Sequence, residues 1–484
     1  MIMKNIYRIF MFPIIFGLFI CLTGCEDALD TEVPSDIVFG NFPANGDEAQ
    51  ALLNGIYRDL KDDYNSTLYH EDRGDGFDVG IIGTVSDAWS HNINATNGTS
   101  WTAFYGAMNN INFLLSVVDD LSFSNEQTKN QMKAEALFLR ATYYFYMARI
   151  WGDVPLITEP ILSPDAEVIA RTPVAQVFTQ INEDISNAIS LFPRDGFADK
   201  NFASKPAAYA LQADVKMWTG KVLGGGVPDF DAALAAIQKI EDQGASLMDS
   251  FNDVFDTKKN DEIIFAIFND RDEVNNHYAS TLSVRDVNYD PVASPDIPGS
   301  SANVRHNYSP SENIRNLFTT NTDVRKDRTF LPFYLEVEGP IISYSQTRYY
   351  GEVIDGIRLF TNDFIIYRWA DMLLLRAEAY AAKNDLENAV IALDLVRNRA
   401  NNDDYTGLMN QNSINLEILA ERGRELFLEP KRWWDLRRFH ADGTIDIYDF
   451  VPNLQGLTTP LYWSVSQSVM AQNTLIEQTE GYDQ

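Results

Sequence analysis

The chain contains little cysteine and too few basic residues for several common functions. Only 2 of its 484 residues are cysteine, which excludes a disulfide scaffold and a zinc or iron–sulfur site built on cysteine. Lysine and arginine number 38 against 69 aspartate and glutamate, so the formal net charge is −31. Nucleic-acid binding requires clustered basic side chains that displace counterions from phosphate, and this charge balance argues against it.

Motifs of the main enzyme classes are also missing. The 5 histidines form no HExxH or HxxxH arrangement, and the chain has neither a GxSxG nor a Walker motif. A glycosidase needs two facing carboxylates, but with 69 acidic residues any pair can be imagined and none is evidence. The acidic loop at residues 72–78 lacks the ligand spacing and the distal glutamate of a calcium loop. We therefore expect a protein that is not an enzyme, without catalytic residues, metal or cofactor.

Both cysteines lie in the first 25 residues, in a segment typical of a secretion signal. Lys4 and Arg8 precede an apolar run at residues 9–20, which is shorter than the roughly 20 residues that span a bilayer. Leu22-Thr23-Gly24-Cys25 follows directly and resembles a bacterial lipobox, whose cysteine receives a diacylglycerol before the chain is cut in front of it. We predict a signal peptide at residues 1–24 and lipid on Cys25. An ordinary secretory signal with an incidental cysteine is the alternative.

Residues 25–46 are predicted to form a lipidated, flexible tether, because acidic residues, proline and glycine dominate there. No later stretch reaches 18 uninterrupted apolar residues, so the prediction is attachment to a membrane by lipid, without a spanning segment. Residues 47–484 are predicted to form a single body. Within it we separate a helical part at residues 47–264, a variable region at 265–364 and a second helical part at 365–484.

The apolar period predicts a mainly α-helical body. In the first helix, Ala51, Leu52, Ile56 and Leu60 are expected to share the buried stripe. The predicted helices cover residues 47–61, 100–118, 134–151, 174–191, 205–221, 229–242, 367–383, 386–399 and 414–439. The variable region loses this period and is rich in proline, tyrosine and asparagine, which predicts loops and short strands.

Some of these helices have the spacing of tetratricopeptide pairs. Residues 367–383 and 386–399 alternate small and large residues on what would be facing helices. Residues 205–221 with 229–242 form a weaker pair, and 134–151 with 174–191 a possible third. Such a pair cannot bury its apolar face alone, so the pairs are expected to stack. Unrelated helical hairpins are the alternative.

Four blocks of the sequence resemble the SusD/RagB family of Bacteroidota outer-membrane lipoproteins. The blocks lie at residues 101–112, 134–156, 367–379 and 421–438, and the second contains Trp151-Gly152-Asp153-Val154-Pro155. Together with the lipobox they occur in the family's order from end to end. The family often closes on an Asn-Pro-Gly-Tyr-like tail, of which only Gly481-Tyr482 is present here.

This resemblance implies a fold and a function. Family members are similar in having one body of tetratricopeptide-like helices with a loop-rich variable part. They bind glycans at the cell surface and cap a SusC-like TonB-dependent transporter that imports oligosaccharides in a polysaccharide utilisation system. Glu26-Asp27, directly after Cys25, resembles the signal that sends such lipoproteins to the outer face of the outer membrane. A tetratricopeptide scaffold, or a peptide-binding lid of an outer-membrane complex, is the alternative function.

Aromatic residues in polar loops are the candidates for glycan contact, because sugar rings stack on flat apolar side chains while amides bind their hydroxyls. Trp101 belongs to a helix-start motif and is expected in the core. Trp89 lies in a polar loop at residues 86–92. It is a candidate for glycan contact because loops often carry binding residues. The candidate glycan-binding residues are Trp89, Asn92, His277, Tyr278, Tyr289 and Tyr308.

The strong acidity gives a mild preference for a marine plant or algal polysaccharide, such as ulvan, alginate or laminarin. For a sulfated or uronic glycan, local cations must offset the global negative field. The candidates in the variable region are Arg285, Arg305, Lys326 and Arg328.

The block at residues 432–438 combines arginine and tryptophan but does not indicate nucleic-acid binding. Its arginines are expected to pair with Glu425, Glu429 and Asp435 at helical spacing. The family resemblance implies that this block belongs to the structural core.

Overall fold

Most of the predicted helices begin and end close to the residues that the apolar period predicts. The computed structural model describes residues 42–273, 277–299 and 304–482, without the side chains of residues 273 and 277–279. The predicted signal peptide, Cys25 and most of the tether lie outside the described residues. The helices are α1 (Gly46–Tyr64), α2 (Thr102–Val117), α3 (Glu126–Trp151), α4 (Val174–Leu191), α5 (Lys205–Val222), α6 (Val227–Glu241), α7 (Asp253–Asp256), α8 (His277–Leu282), α9 (Glu312–Asn316), α10 (Lys326–Thr329), α11 (Trp369–Ala382), α12 (Leu386–Arg399), α13 (Gln411–Glu425), α14 (Arg432–Ala441), α15 (Ile447–Phe450) and α16 (Gln467–Gln472).

The strands are short and form two-stranded antiparallel sheets. They are β1 (Phe77–Val79), β2 (Ile263–Ile267), β3 (Tyr308–Pro310), β4 (Phe330–Phe333), β5 (Ser343–Gln346), β6 (Glu352–Ile354), β7 (Ile357–Leu359) and β8 (Phe364–Arg368). The pairs are β1–β3, β2–β8, β4–β5 and β6–β7. Because β2 and β8 stand at the two ends of the variable region and are fully buried, their pairing closes that region at its base.

The fold is mainly α-helical, as the sequence predicts. α3 packs against α4, α5 against α6 and α11 against α12, so each predicted helix pair is in contact. α3 is buried on all sides from Ala134 onward, which is expected of a helix that is apolar around its whole circumference. Its ends are well defined, because the side chain of Asn125 accepts a hydrogen bond from Thr128 N and Gly152 adopts a φ of +76°. Among the described residues, no helix is both long and apolar enough to cross a membrane.

Three helix predictions were wrong in detail. α3 begins at Glu126, ahead of the predicted start at residue 134. The predicted helix at residues 414–439 is two helices, α13 and α14, because Pro430 disfavours helical geometry in the residue before it and Leu428 adopts a φ of +63°. In α1 the buried stripe is Ala49, Leu53, Ile56, Leu60 and Tyr64, whereas Ala51 is exposed and Leu52 is half-buried. The prediction therefore identified Ile56 and Leu60 correctly, but its first two residues lie outside the buried stripe.

The arginine–tryptophan block at residues 432–438 lies in the core, but its ion pairs differ from the predicted ones. Trp433 and Trp434 are buried. Arg438 binds Glu378 and, as predicted, Asp435, while Arg432 reaches Asp75 at 2.6 Å. The guanidinium of Arg437 instead lies over the rings of Trp218 and Tyr462. Helical spacing indicated the one local pair and missed the long-range ones.

Glu425 and Glu429 belong to a separate buried cluster that fastens the variable region to α13. Arg325 binds Glu421 at 2.6 Å and Glu425 at 2.8 Å, and Arg348 donates to the carbonyl oxygens of Glu425 and Phe427. Both arginines come from the variable region and are fully buried. The loops of this region are therefore attached to a helical scaffold by charged hydrogen bonds.

Glu135 makes the stability of the fold depend on pH near neutrality. It is buried on α3, where Tyr57 and Gln131 donate to its two carboxylate oxygens at 2.7 and 2.8 Å. Burial raises the pKa of Glu135 to about 7, against about 4.3 in an unfolded chain. The folded state therefore keeps a proton that the unfolded state has lost, so the contribution of Glu135 to stability decreases as pH rises from 5 to 8.

We expect Glu135→Gln to remove this contribution, so that urea denaturation gives a change in stability from pH 5 to pH 8 that is about 2 kcal/mol more positive than in the native protein. Other buried groups contribute in both directions, because burial raises the pKa of Asp63 to about 6 and lowers the pKa of His70 to about 3, so the slope of the variant is compared with that of the native protein. The control is Glu183→Gln on the exposed face of α4, which should retain the full slope of the native protein. An unchanged slope in Glu135→Gln would show that Glu135 is ionised in the folded state.

Candidate functional site

Trp89 lies in a tight turn, residues 86–92, which we call the Trp89 turn. Its indole Nε1 donates to the carbonyl oxygen of Phe77 at 2.8 Å, and its ring is half-buried against the core. Asn92 at the end of the turn is exposed, and its backbone N donates to Asp87 O at 2.9 Å. A tryptophan whose polar atom is already bonded presents only apolar ring surface to solvent, which is the surface that a sugar ring packs on.

A buried hydroxyl network holds the Trp89 turn in place. Ser86 Oγ donates to Asp72 Oδ2 at 2.6 Å and accepts from Trp89 N at 3.1 Å. The Tyr308 hydroxyl donates to the same Asp72 oxygen at 2.9 Å and accepts from Ser86 N at 3.0 Å. Burial, followed by the charge of Asp72, raises the pKa of Tyr308 above its usual range, so the hydroxyl remains a donor. The turn is thus positioned by four polar contacts around one carboxylate.

Tyr308 consequently has a role different from the predicted one. It is only 3% exposed, and its ring stacks on Phe77 with centroids 5.2 Å apart. With its ring packed on Phe77 and its hydroxyl bonded, it offers no surface for a sugar. The prediction of Tyr308 as a glycan contact is corrected: it supports the Trp89 turn from within the core. Sequence reasoning could not separate these roles, because the partners come from residues 72–86.

The close approach of β1 to residues 306–308 depends on a glycine. Gly80 N donates to Asn307 O at 2.7 Å, and a Cβ at Gly80 would lie 2.0 Å from the carbonyl oxygen of His306. The His306 ring accepts from Ile81 N at 3.0 Å through Nδ1, so its Nε2 donates to Tyr344 O at 2.9 Å. Burial lowers the pKa of His306 and keeps the imidazole neutral, as these two bonds require. The variable region is joined to the Trp89 turn through β1.

Tyr289 lies on a small apolar cluster next to this junction. Val284, Ile297 and Phe333 form the cluster, and Tyr289 and Ile81 pack half-buried against it. The Tyr289 ring meets Phe333 edge-on at 6.5 Å, and its hydroxyl donates to Ile297 O at 3.4 Å. Since Ile81 also follows β1, the structure brings Tyr289 to the same side of the fold as the end of β1. Trp89, Asn92 and Tyr289 remain predicted glycan contacts.

The other predicted contacts divide into exposed, buried and undescribed residues. His277 and Tyr278 belong to α8, but their side chains lie outside the described residues. Arg285 and Arg305 are exposed, and Lys326 is half-buried. Arg328 is buried, forms an ion pair with Asp256 and stacks 4.0 Å from the Tyr350 ring centroid. The prediction of Arg328 as an anion contact is therefore corrected, because its charge is already neutralised inside the fold.

The carboxylates of the acidic loop at residues 72–78 all have protein partners. Asp72 binds the hydroxyl network, Asp75 binds Arg432, and Asp78 accepts from Glu312 N at 2.8 Å. Within the described part of the chain, no group of three or more His, Cys, Asp or Glu side chains is placed to hold a metal ion. The acidic loop therefore supports the Trp89 turn through Asp72.

Two family models match the chain. The first, described as "Starch-binding associating with outer membrane", covers residues 44–217, and the second, described as "SusD family", covers residues 349–482. The chain is 23% identical to SusD-like protein P38 of Formosa agariphila over 99% of both chains, and 25% identical to SusD-like protein P2 of the same organism over 90% of this chain and 91% of that one.

Solved structures agree with these matches. NanU of B. fragilis is 28% identical and superposes with a TM-score of 0.78, covering 91% of this chain and 97% of that one. A laminarin-binding SusD-like protein is 22% identical with a TM-score of 0.75, covering 90% of this chain and 100% of that one.

The fold and these matches define a class of helical-repeat proteins that bind carbohydrate and are not enzymes. The chain belongs to the SusD/RagB family, whose members are associated with the bacterial outer membrane.

Proposed function

We propose that this protein captures oligosaccharides at the cell surface and delivers them to a SusC-like TonB-dependent transporter. The observation that carries the proposal is the Trp89 turn, where a ring with a satisfied N–H is held at the surface by the buried Asp72 network. A binding residue on a rigid support loses little conformational entropy when ligand arrives. A lid must also release its sugar, so moderate affinity suits it, with a Kd of about 1 μM to 1 mM.

A glycan is a better fit than a peptide for this surface. The Trp89 turn ends at Asn92, whose side chain is exposed, and an amide matches sugar hydroxyls as both donor and acceptor. A marine plant or algal polysaccharide remains the preferred ligand class. Two observations support it: a structural relative is a laminarin-binding protein, and two curated relatives come from Formosa agariphila.

Trp89→Ala is the direct test of the binding surface. We expect it to weaken binding by about 1–3 kcal/mol, roughly 5- to 150-fold, because a central aromatic contact is lost. The full chain is run through gels containing laminarin, alginate, ulvan, xylan or starch, and the ligand that retards it is then titrated by calorimetry. Tyr405→Ala, which removes another half-buried loop ring whose polar atom is already bonded, is the matched control and should leave retardation unchanged. Equal affinities of Trp89→Ala and the native protein would contradict the proposed site.

We propose that the protein is held on the outer face of the outer membrane by lipid on Cys25. The lipobox motif and the Glu26-Asp27 pair support this. Cys25→Ser is expected to abolish incorporation of a radioactive fatty acid and to release a folded protein from the membrane. Cys21→Ser is the matched control, since Cys21 lies within the predicted signal and should not affect labelling. A native protein that takes up no label would refute the anchor.

The transporter partnership is tested separately from binding. Tagged protein pulled from detergent-solubilised outer membranes should recover a large TonB-dependent β-barrel. Recovery of the protein without any such barrel would refute the partnership while leaving the glycan site intact.

A further inference from the structure

A cavity of about 410 Å³ opens beside α1, away from every residue that the sequence marks as a binding candidate. Its walls come from α1, from the loop around Phe202 and from the end of β2. Phe202 and Phe268 line it and are 37% and 40% exposed. The Tyr57 ring meets Phe202 edge-on at 5.0 Å and fixes its orientation. Two exposed phenylalanines in one concave wall are typical of a ligand surface rather than of ordinary protein exterior.

The charge of this cavity is opposite to that of the protein. Three cationic residues line it, Arg58, Lys61 and Lys259, and no aspartate or glutamate is among its lining residues. This separation is unusual in a chain with 69 acidic and 38 basic residues. Lys259 binds Asp199 at 2.8 Å beside the cavity, but both side chains are more than 40% exposed, and such surface pairs are weak. A ligand carboxylate can therefore compete for Lys259.

A buried amide in the same wall has unused hydrogen-bonding capacity. Asn201 is 7% exposed, and its Nδ2 donates to Ala266 O and to Asp363 Oδ2, both at 3.1 Å. Its Oδ1 has no hydrogen-bond partner among the described residues. A buried acceptor without a donor is costly, and a ligand hydroxyl at this wall would supply one.

A second cavity of about 410 Å³ shares Phe202 and continues the concave surface along α1. Its lining contains the amide and hydroxyl groups of Gln50 and Thr128, two carboxylates, Glu135 and Asp199, and two cations, Arg194 and Lys205, so this part is more polar and of mixed charge. The combination of flat rings, cations and amides matches a ring-shaped ligand that carries several hydroxyls and one negative charge.

We propose that the cavity between Phe202 and Phe268 is a second carbohydrate site, specific for an acidic sugar unit of the uronic acid class. The sugar ring packs on the two phenylalanines, and its carboxylate binds Arg58 and Lys259. The site uses no residue of the Trp89 turn, so it stands or falls independently of the first site. It gives a strongly acidic protein a local means of holding an anionic glycan that its overall field repels.

The test is saturation-transfer NMR on the full chain with D-glucuronate, and with D-glucose as the neutral probe. We expect glucuronate to bind about tenfold more tightly than glucose, since a charged hydrogen bond is gained, and its affinity to fall as salt is raised. Arg58→Gln lies on an exposed helix face, and it should remove this preference without affecting folding. Phe268→Ala should weaken both sugars by about tenfold.

Trp89→Ala is the control and should leave glucuronate binding unchanged. Equal binding of the two sugars, or native affinity for glucuronate in both Arg58→Gln and Phe268→Ala, would overturn the proposal. Loss of glucuronate binding in Trp89→Ala would also overturn it, because the acidic sugar would then occupy the Trp89 turn. A failure of Trp89→Ala to change polysaccharide binding affects only the function proposed above.

Discussion

Replacing Arg368 with glutamine is expected to lower the free energy of unfolding by about 3–5 kcal/mol. Arg368 is fully buried at the end of β8 and binds three carboxylates: Glu262 at 2.7 Å, Glu425 at 2.5 Å and Glu429 at 2.8 Å. Burial alone would lower its pKa, but these carboxylates outweigh burial and hold the pKa above its usual range. Removing the cation leaves buried negative charges facing one another.

The measurement is urea denaturation of the full chain at pH 7. Arg271→Gln is the matched control, because Arg271 pairs with Asp272 at the surface, with side chains 63% and 85% exposed. Surface pairs contribute about 0–1 kcal/mol, so this variant should unfold with the native protein. A loss of less than 1 kcal/mol in Arg368→Gln would mean that the carboxylates are protonated in the folded state and need no cation.

Trp101→Ala is expected to cost about 3–5 kcal/mol of stability while leaving glycan affinity intact in the molecules that remain folded. Trp101 is 5% exposed at the start of α2, and its ring meets Tyr105 at 6.0 Å and Trp151 at 5.6 Å. The alanine leaves a cavity that the surrounding aromatic rings cannot fill without moving. Trp89 and Trp101 lie close together in the sequence, yet Trp101→Ala is expected to lower stability and Trp89→Ala to weaken glycan binding.

Thermal unfolding and calorimetric titration of Trp101→Ala and Trp89→Ala separate the two roles. Trp89 is half-buried, so its loss should lower stability by only about 1 kcal/mol. If Trp101→Ala lost affinity and kept its melting temperature, Trp101 would be the binding residue and the assignment here would be reversed.

The buried arginine cluster has a consequence for function. Arg325 and Arg348 attach the variable region to α13, and the pairing of β2 with β8 closes its base. Binding sites are most precise when their loops rest on such rigid elements. The glycan surface is therefore expected to be largely preformed, with the Trp89 turn and Tyr289 held in place before ligand arrives.

Helices were predictable from the chain because their signals are local. α4 and α12 have the predicted ends, since apolar spacing, capping residues and breakers lie within a few positions of each other. The break between α13 and α14 had a local signal too, in Pro430, but the apolar period continued across it and hid the break. Loops and short strands between residues 265 and 364 were also predictable as a class, although not their pairing.

The roles of single aromatic and charged residues could not be predicted in the same way. Tyr308 and Tyr289 have similar polar neighbours in sequence, but Tyr308 reaches Asp72 in the core and Tyr289 rests on a surface cluster. Arg328 looked like a free cation in the sequence and is paired with Asp256, 72 positions away. The cavity beside Phe202 combines residues from α1, from one loop and from β2, and no short motif indicates it.

The sequence by itself determined the helical class and the family, because the first depends on residue order over short stretches and the second on several such stretches in a set order. It also predicts the lipid anchor from one short motif. Only the tertiary structure decided which aromatic rings face solvent, which carboxylates are neutralised and which cations line the cavity beside Phe202. Burial and charge pairing arise from contacts between residues far apart in the chain, such as Arg73 with Leu461 and Pro460. These contacts set the environment of each side chain, and the environment decides whether a tryptophan, tyrosine or arginine supports the fold or meets a ligand.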